Sequence, residues 1–319
     1  MNDFAAALER QFSFLFAVVA VLFFSAFGAF AQVEADEDVI RVETNLIVLN
    51  AVVTDAKGSH VPNLKLTDFK VFDNNVEQDL SSAELSAEKT PFAAVVLLDT
   101  SGSMESRLAL GRAAAIRFLD GLRTDDVAAV YNFDLKVTPV QEFSSSRDLA
   151  PMAYELKARG MTALNDAVAT AAKDLAARPE KRRAIIVLSD GADTNSRASR
   201  SQALKDALAV NAVIYTVDMS SLDVSGMTNN QRKEHFQSVG ALKEFAEKSG
   251  GRFVPVAGGK ELRDAFTQIV AEIGLQYTIS YQPKTLATDG KWHTLEVKLT
   301  NPAHKVRARK GYNAPRKKS

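Results

Sequence analysis

Residues 95–104 read VVLLDTSGSM: an apolar run stops at Asp99, and two serines follow within four positions. Val and Leu in unbroken succession, with no polar alternation, belong to a strand covered on both faces, as in a parallel α/β sheet. In such sheets ligands collect at the carboxyl ends of the strands, where loops lead into helices. The stretch therefore points both to a fold class and to the place where chemistry would sit.

Working outward, the same rhythm repeats. Strands are expected at Phe92–Leu98, Val127–Phe133, Ala184–Leu188 and Ala212–Val217, with a shorter one at Arg252–Val256. Helical patterns lie between them. Leu108, Ala115, Ile116 and Leu119 share one face, as do Leu262, Phe266, Ile269, Val270 and Ile273. KVTPVQEF follows YNFDL too closely for an intervening helix, and Pro139 suits an antiparallel edge strand. The expectation for 91–274 is an α/β domain: a Rossmann-like, doubly wound, mostly parallel sheet covered on both faces.

The flanks read as β. VIRVETNLIVLNAVVTD (39–55) is dense in β-branched residues, and FKVFDNNVEQDL (69–80) has the form of a hairpin turning at Asp73-Asn74-Asn75. SSAELSAEKTP (81–91) reads as a linker. YTISYQ, LEVKL and KVRARKGY return to alternation after Gln276. An N-terminal β segment (32–90) and a C-terminal one (275–313) thus bracket the core, and the two are expected to pair into one small β subdomain ahead of a basic tail, 314–319.

Composition narrows the function. The chain has 319 residues, 46% apolar and 24% charged, as expected of a globular protein with a core. Lys and Arg total 39 and so do Asp and Glu, so no overall field favours nucleic acid or a membrane surface. The absence of cysteine excludes disulfides, thiolate metal sites, a cysteine nucleophile and a lipidated cysteine. Phe12 to Ala31 carries no charge and ends in Ala29-Phe30-Ala31, the small-x-small form of a signal-peptidase site. Residues 1–31 therefore read as a signal peptide or membrane anchor, with cleavage after Ala31 favoured over retention. The rest is expected outside the cytoplasm, in the periplasm or cell envelope or secreted.

Three stretches fall where the alternation places strand ends or helix starts: DTSGSM, GMTAL before a helix near Asn165, and LSDGADT after Ala184–Leu188. Together they offer Asp99, Ser101, Ser103, Thr162 and Asp190, all oxygen donors with no imidazole or thiolate. An oxygen set with few carboxylates suits Mg²⁺ (or Mn²⁺), which takes six ligands and keeps some as water. Hydroxyl ligands are neutral and leave the ion most of its charge, while carboxylates behind them hold waters in place. Such an ion has an open position for an anionic oxygen from outside. The plainer reading makes Ser101 and Ser103 caps of the following helix.

At these residues the chain resembles the von Willebrand factor type A domain and its metal-ion-dependent adhesion site, whose pattern is Asp-x-Ser-x-Ser, then a Thr, then an Asp at a later strand end. Asp99-Thr100-Ser101-Gly102-Ser103, Thr162 and Asp190 fill every position. The resemblance implies that Ser101, Ser103 and Thr162 touch the metal and that Asp99 and Asp190 act through water. The flanks VVTDAKGSHVPNLKLTDFKVFDNNVEQ and GKWHTLEVKL resemble those of exported type A proteins of acidobacteria and related bacteria. Asn165 departs from the family's commonest wording, where an aromatic residue is frequent.

Catalysis is not signalled. DTSG approaches the Asp-Thr-Gly of aspartic proteases, but those need a second such loop and a glycine where Ser101 stands. There is no Gly-x-Ser-x-Gly elbow. His60, His235, His293 and His304 read as surface or packing residues. Asp193 reads as a loop cap, and Asp166 as an ordinary acid in the first turn of a helix. The basic run from Lys305 to Lys318 reads as protection of an edge strand, and 218–236 as a long loop.

The expected function is an exported adhesion-type module, not an enzyme, whose partner is a protein presenting an Asp or Glu carboxylate to the ion. No nucleic acid is expected, and membrane contact only through the N-terminal segment if retained. The alternatives are a metal-independent envelope scaffold or assembly factor and, third, a metal-dependent hydrolase.

Overall fold

The computed structural model describes residues 46–86, 90–220, 224–256, 258–284 and 287–316. The expected export segment, 1–31, lies outside them. Among the described residues no helix is long and apolar enough to cross a membrane.

The first strands in the chain are β1 (Ile47–Thr54), β2 (Phe69–Asp73), β3 (Val76–Glu77) and β4 (Glu84–Ser86). The central part holds β5 (Phe92–Asp99), β6 (Val127–Phe133), β7 (Val137–Ser144), β8 (Arg182–Ser189), β9 (Ala212–Asp218) and β10 (Phe253–Pro255). Its helices are α1 (Leu108–Asp120), α2 (Leu164–Ala176), α3 (Arg200–Ala209), α4 (Asn229–Ser249) and α5 (Gly259–Gly274). The chain then returns to strands with β11 (Tyr277–Tyr281), β12 (Trp292–Leu299), β13 (Lys305–Ala308) and β14 (Gly311–Asn313).

The central strands form one sheet in the order β10-β9-β8-β5-β6-β7, parallel throughout except for the antiparallel edge strand β7. Every residue of β5 is buried, which is why its sequence shows no polar alternation. Its two-residue period divides the run between two layers. Phe92, Ala94, Val96 and Leu98 pack with Phe118 and Leu119 of α1 and with Phe266 and Ile269 of α5. Ala93, Val95 and Leu97 face the opposite layer, where α2 contributes Val168 and Ala171, α3 Leu204 and Ala207, and α4 Leu242 and Phe245. The doubly wound expectation holds.

The flanking strands make two four-stranded sheets, β13-β1-β11-β4 and β14-β12-β2-β3. Each sheet contains strands from both ends of the chain, with Ile47 opposite Tyr281 and Val71 opposite Val297. A third core lies between them, around Leu49, Val53, Val71, Tyr277, Ile279 and Leu295. The turn of the β2–β3 hairpin takes the left-handed angles its sequence invites, at Asn74 (φ 46°) and Asn75 (φ 66°).

Several readings need correction. The expected linker 81–91 contributes β4, which pairs antiparallel with β11 through Ile279 and Leu85. Only three residues are needed at that edge, too few for a periodicity to show. The expected long loop 218–236 ends at Asn229, where α4 begins. Thr228 caps Gln231 while Gln231 reaches back to Thr228, a reciprocal cap written in the sequence as TNNQ.

The basic run is not simply an exposed edge. Arg307 pairs with Glu272 of α5 and donates to the Gly250 carbonyl, and Arg309 is 7% exposed, donating through Nη1 to Leu208 O and Asn211 Oδ1. Arg182 completes the seam from the core side. Fully buried, it donates to the carbonyls of Gly274 (3.1 Å) and Gln276 (2.5 Å) where the core passes into the sandwich. Ala314 and Arg316 of the expected tail also belong to the sandwich, through Ala314 N to Lys291 O and a bridge between Arg316 and Asp289.

Candidate metal centre

Three loops meet at the carboxyl end of the central sheet. The first leaves β5 at Asp99, whose carboxylate is 2% exposed. Its Oδ1 accepts from Ser101 N (2.9 Å) and its Oδ2 from Ser189 Oγ (2.5 Å) at the end of β8. Two strand ends are thereby joined through one carboxylate. Ser189 Oγ also accepts from Gly191 N, which turns the chain after Asp190. Gly191 has φ +82°, and a Cβ there would collide with the Ser238 carbonyl of α4, so only glycine fits.

Ser101 stands at the N-cap of the turn Gly102–Arg107, but its hydroxyl makes no capping bond. The capping reading of that serine is therefore set aside. Ser101 Oγ instead lies 3.2 Å from Ser103 Oγ. Ser101 is buried and Ser103 exposed, so the pair leads from the interior to the surface.

The second loop carries Thr162, buried ahead of α2. It is tied to the first by Gly102 N to Gly160 O (3.3 Å) and Arg159 N to Thr100 O (2.9 Å). It is tied to the third by Thr162 N to Thr194 Oγ1 (3.0 Å) and by the Thr194 and Asn195 amides to Thr162 O. Asp193, expected as a loop cap, accepts from Leu164 N and Asn165 Nδ2 and so caps α2 from outside that helix. Asn165 is held by this bond. Asp166 fastens the same loop by accepting from Arg197 N and Ala198 N.

The five expected residues thus stand on three cross-linked loops. Asp190, whose Oδ1 accepts from Ala192 N, and Ser103 line a single cleft of about 480 Å³. Its opposite wall is the first half of α4, with Glu234, His235 and Ser238. His235, expected as a surface or packing residue, and Glu234 belong to that wall, and only the helix beginning at Asn229 brings them there. Exposed Met161 precedes Thr162, and exposed Leu135 lies against Gly160 on the same rim.

Electrostatics favour a cation. Burial pushes the Asp99 carboxyl up to about 6, against the hydrogen bonds from Ser101 and Ser189, and the charge of Asp190 pushes the same way. No basic side chain is among the groups that act on it. Among the described residues no three His, Cys, Asp or Glu side chains gather to hold a metal, so an ion here would depend on hydroxyl oxygens as well. Arg107 lines the same cleft, on the side of Ser103 and Ser106. Two serine hydroxyls, a threonine and two carboxylates are the oxygen donors that a small hard ion such as Mg²⁺ takes.

Residues 94–192 match the family model of the von Willebrand factor type A domain, and that segment contains all five residues. None of the curated proteins matches the chain. Among solved structures it is similar to an aerotolerance-related membrane protein from Bacteroides fragilis NCTC 9343, 20% identical, covering 56% of this chain and 98% of that one, with a TM-score of 0.44. It is also similar to a von Willebrand factor type A protein from Catenulispora acidiphila (16% identical, 73% of this chain and 62% of that one, TM-score 0.46). A third is the vWF domain of the type V pili tip protein Mfa5 from Porphyromonas gingivalis (13% identical, 59% and 96%, TM-score 0.47). The chain spans less than two thirds of the Catenulispora protein.

Proposed function

We propose that this chain is an exported adhesion-type module that captures a partner protein through a divalent cation held at the sheet end. The observation that carries the reading is Asp99, a buried carboxylate beside a second one, with no basic side chain among the described groups that act on it and hydroxyls leading to an open cleft. Ser101, Ser103 and Thr162 would hold Mg²⁺ or Mn²⁺, with Asp99 and Asp190 orienting its waters. When bound, the ion supplies a positive charge that takes an oxygen of an Asp or Glu from the partner.

The chain's own residues do the rest. Ser189 and the Ser101 amide hold the Asp99 carboxylate in one orientation, so the loop needs little rearrangement on loading. Asp193 and Thr194 keep Thr162 in place. Met161 and Leu135 offer apolar contact beside the acid.

Titration calorimetry with Mg²⁺ and Mn²⁺, beside Ser101→Ala, tests this. Uptake that the variant loses, followed by metal-dependent heat from a short Asp-containing peptide, is the expected outcome. Failure to take up either ion, with or without the peptide, would sink the reading.

One observation favours the hydrolytic alternative: His235, an imidazole of the kind that serves as a general base, lines the same cleft. Mg²⁺-dependent turnover of p-nitrophenyl phosphate, removed by His235→Gln, would establish it. Absence of turnover leaves binding alone.

A further inference from the structure

We propose that a second cavity, formed where the sandwich meets α3, binds a small apolar molecule bearing a carboxylate. The cavity measures about 580 Å³, within the range that encloses drug-sized ligands. It is built from segments distant in sequence: the start of β1, the end of α3 and the β13–β14 region.

Its chemistry is one-sided. Ile47, Leu208 and Ala287 give it apolar walls, while Lys205, Arg309 and Arg316 are its charged groups, and no acid among the described residues lines it. Arg309 is the decisive residue. It is 7% exposed and lines the cavity; Nη1 is engaged by Leu208 O and Asn211 Oδ1, and Nε, itself buried, has no partner among the described residues. Burial pushes this guanidinium down to about 10, and the neighbours that favour its charge are the phenols of Tyr281 and Tyr312, not carboxylates. The carboxylate behind Tyr312, Asp73, accepts from the Tyr312 hydroxyl (2.8 Å) and lies 3.1 Å from His293 Nδ1.

A buried cation satisfied only by neutral dipoles is costly to keep, and an anion entering beside it restores the balance. The guanidinium fork fits a carboxylate, whose two oxygens can accept parallel N–H bonds. Apolar walls ask that the rest of the ligand be hydrocarbon or aromatic.

The probes are 2-naphthoate and its neutral counterpart 2-naphthamide, titrated into the full chain in excess chelator. Chelation keeps a carboxylate from being counted at a metal-loaded first site. Naphthoate is expected to bind, and naphthamide about tenfold or more weaker, the scale of a charge-assisted hydrogen bond. Arg309→Met should weaken naphthoate by a similar factor. Because Arg309 also supports Leu208 and Asn211, that variant can fail to fold. Ala209→Trp is the second arm: Ala209 lines the cavity but is exposed on α3, so a large ring there blocks the cavity without disturbing the core. Equal binding of acid and amide, no binding of either, or full binding by a folded Ala209→Trp chain would each overturn the proposal.

Discussion

Asp99 and Arg309 are both buried charges without an opposite charge beside them, and they lie in different parts of the molecule. Asp99 is an anion at the loop end of the central sheet, held by an amide and a hydroxyl. Arg309 is a cation at the seam with the sandwich, held by a carbonyl and a side-chain amide oxygen. Each adjoins residues that line an open cavity. Arg182 is as deeply buried and close to the same seam, yet its donors end on backbone carbonyls and the Thr278 hydroxyl, and no described cavity is lined by it. The difference separates a charge that closes a structure from one that leaves a bond for something else.

The largest effect should come from the enclosed charge. Arg182→Ala strips the carbonyls of Gly274 and Gln276 of their donor, and urea unfolding should show a loss of about 3 kcal/mol or more. Binding of Mg²⁺ and of naphthoate, per mole of folded chain, should be unchanged. A change in either would erase the distinction between closing and leaving open.

Gly191→Ala comes next. The positive φ and the Ser238 carbonyl leave no room for a Cβ, so strain of about 1–3 kcal/mol is expected. Metal uptake should fall with it, since Asp190 precedes the strained position, while naphthoate binding should persist. Calorimetry on the one variant reads both.

Asp99→Asn should act in the opposite sense on stability. The folded-state value of about 6 lies above the ordinary 3.8, so between those limits the folded chain holds more protons than the unfolded one. Metal-free stability therefore falls as pH rises from about 4 to about 6 and stays at the lower level above. The variant should lack this slope, be more stable than the parent at pH 7 in chelator, and bind no Mg²⁺. A parent chain whose melting temperature does not fall across that window would break the comparison at its anionic end.

The smallest effect is expected at Lys205, an exposed rim charge. Lys205→Ala should weaken naphthoate by about threefold or less, with the difference vanishing at high salt. A larger, salt-resistant loss would move the ligand's acid away from Arg309.

The central sheet was legible because each strand carries its own signal. VVLLD needs no partner to be read as covered on both faces, and Asp99, Ser101 and Ser103 lie within five positions of one another. Thr162 and Asp190 could be singled out because the same strand–helix alternation places them at the same edge. The hairpin at Asn74 and Asn75 was legible for a similar local reason. Arg309 was not, because a basic residue in an alternating strand looks the same whether its face meets water or another domain. What decides is Leu208, a hundred positions away and supplied only by docking. β4 and the cleft wall at His235 were missed differently: a three-residue strand has no period, and the Thr228–Gln231 cap was present but unread.

The weaving of both chain ends into each sheet of the sandwich has a consequence in time. Beyond a local bridge from Thr54 to His60, the strand partners of β1 are β11 and β13, and β2 finds β12 only after the whole central sheet has been made. The segment from β5 to α5 is contiguous and its contacts are comparatively short in sequence, so it can condense as a unit on its own. β1 gains its strand neighbours only when the last strands arrive, and contacts of such long loop closure form slowly. During synthesis β1 is therefore an open edge for longer than any other strand, and a chain cut before Lys305 would leave that edge unpaired for good.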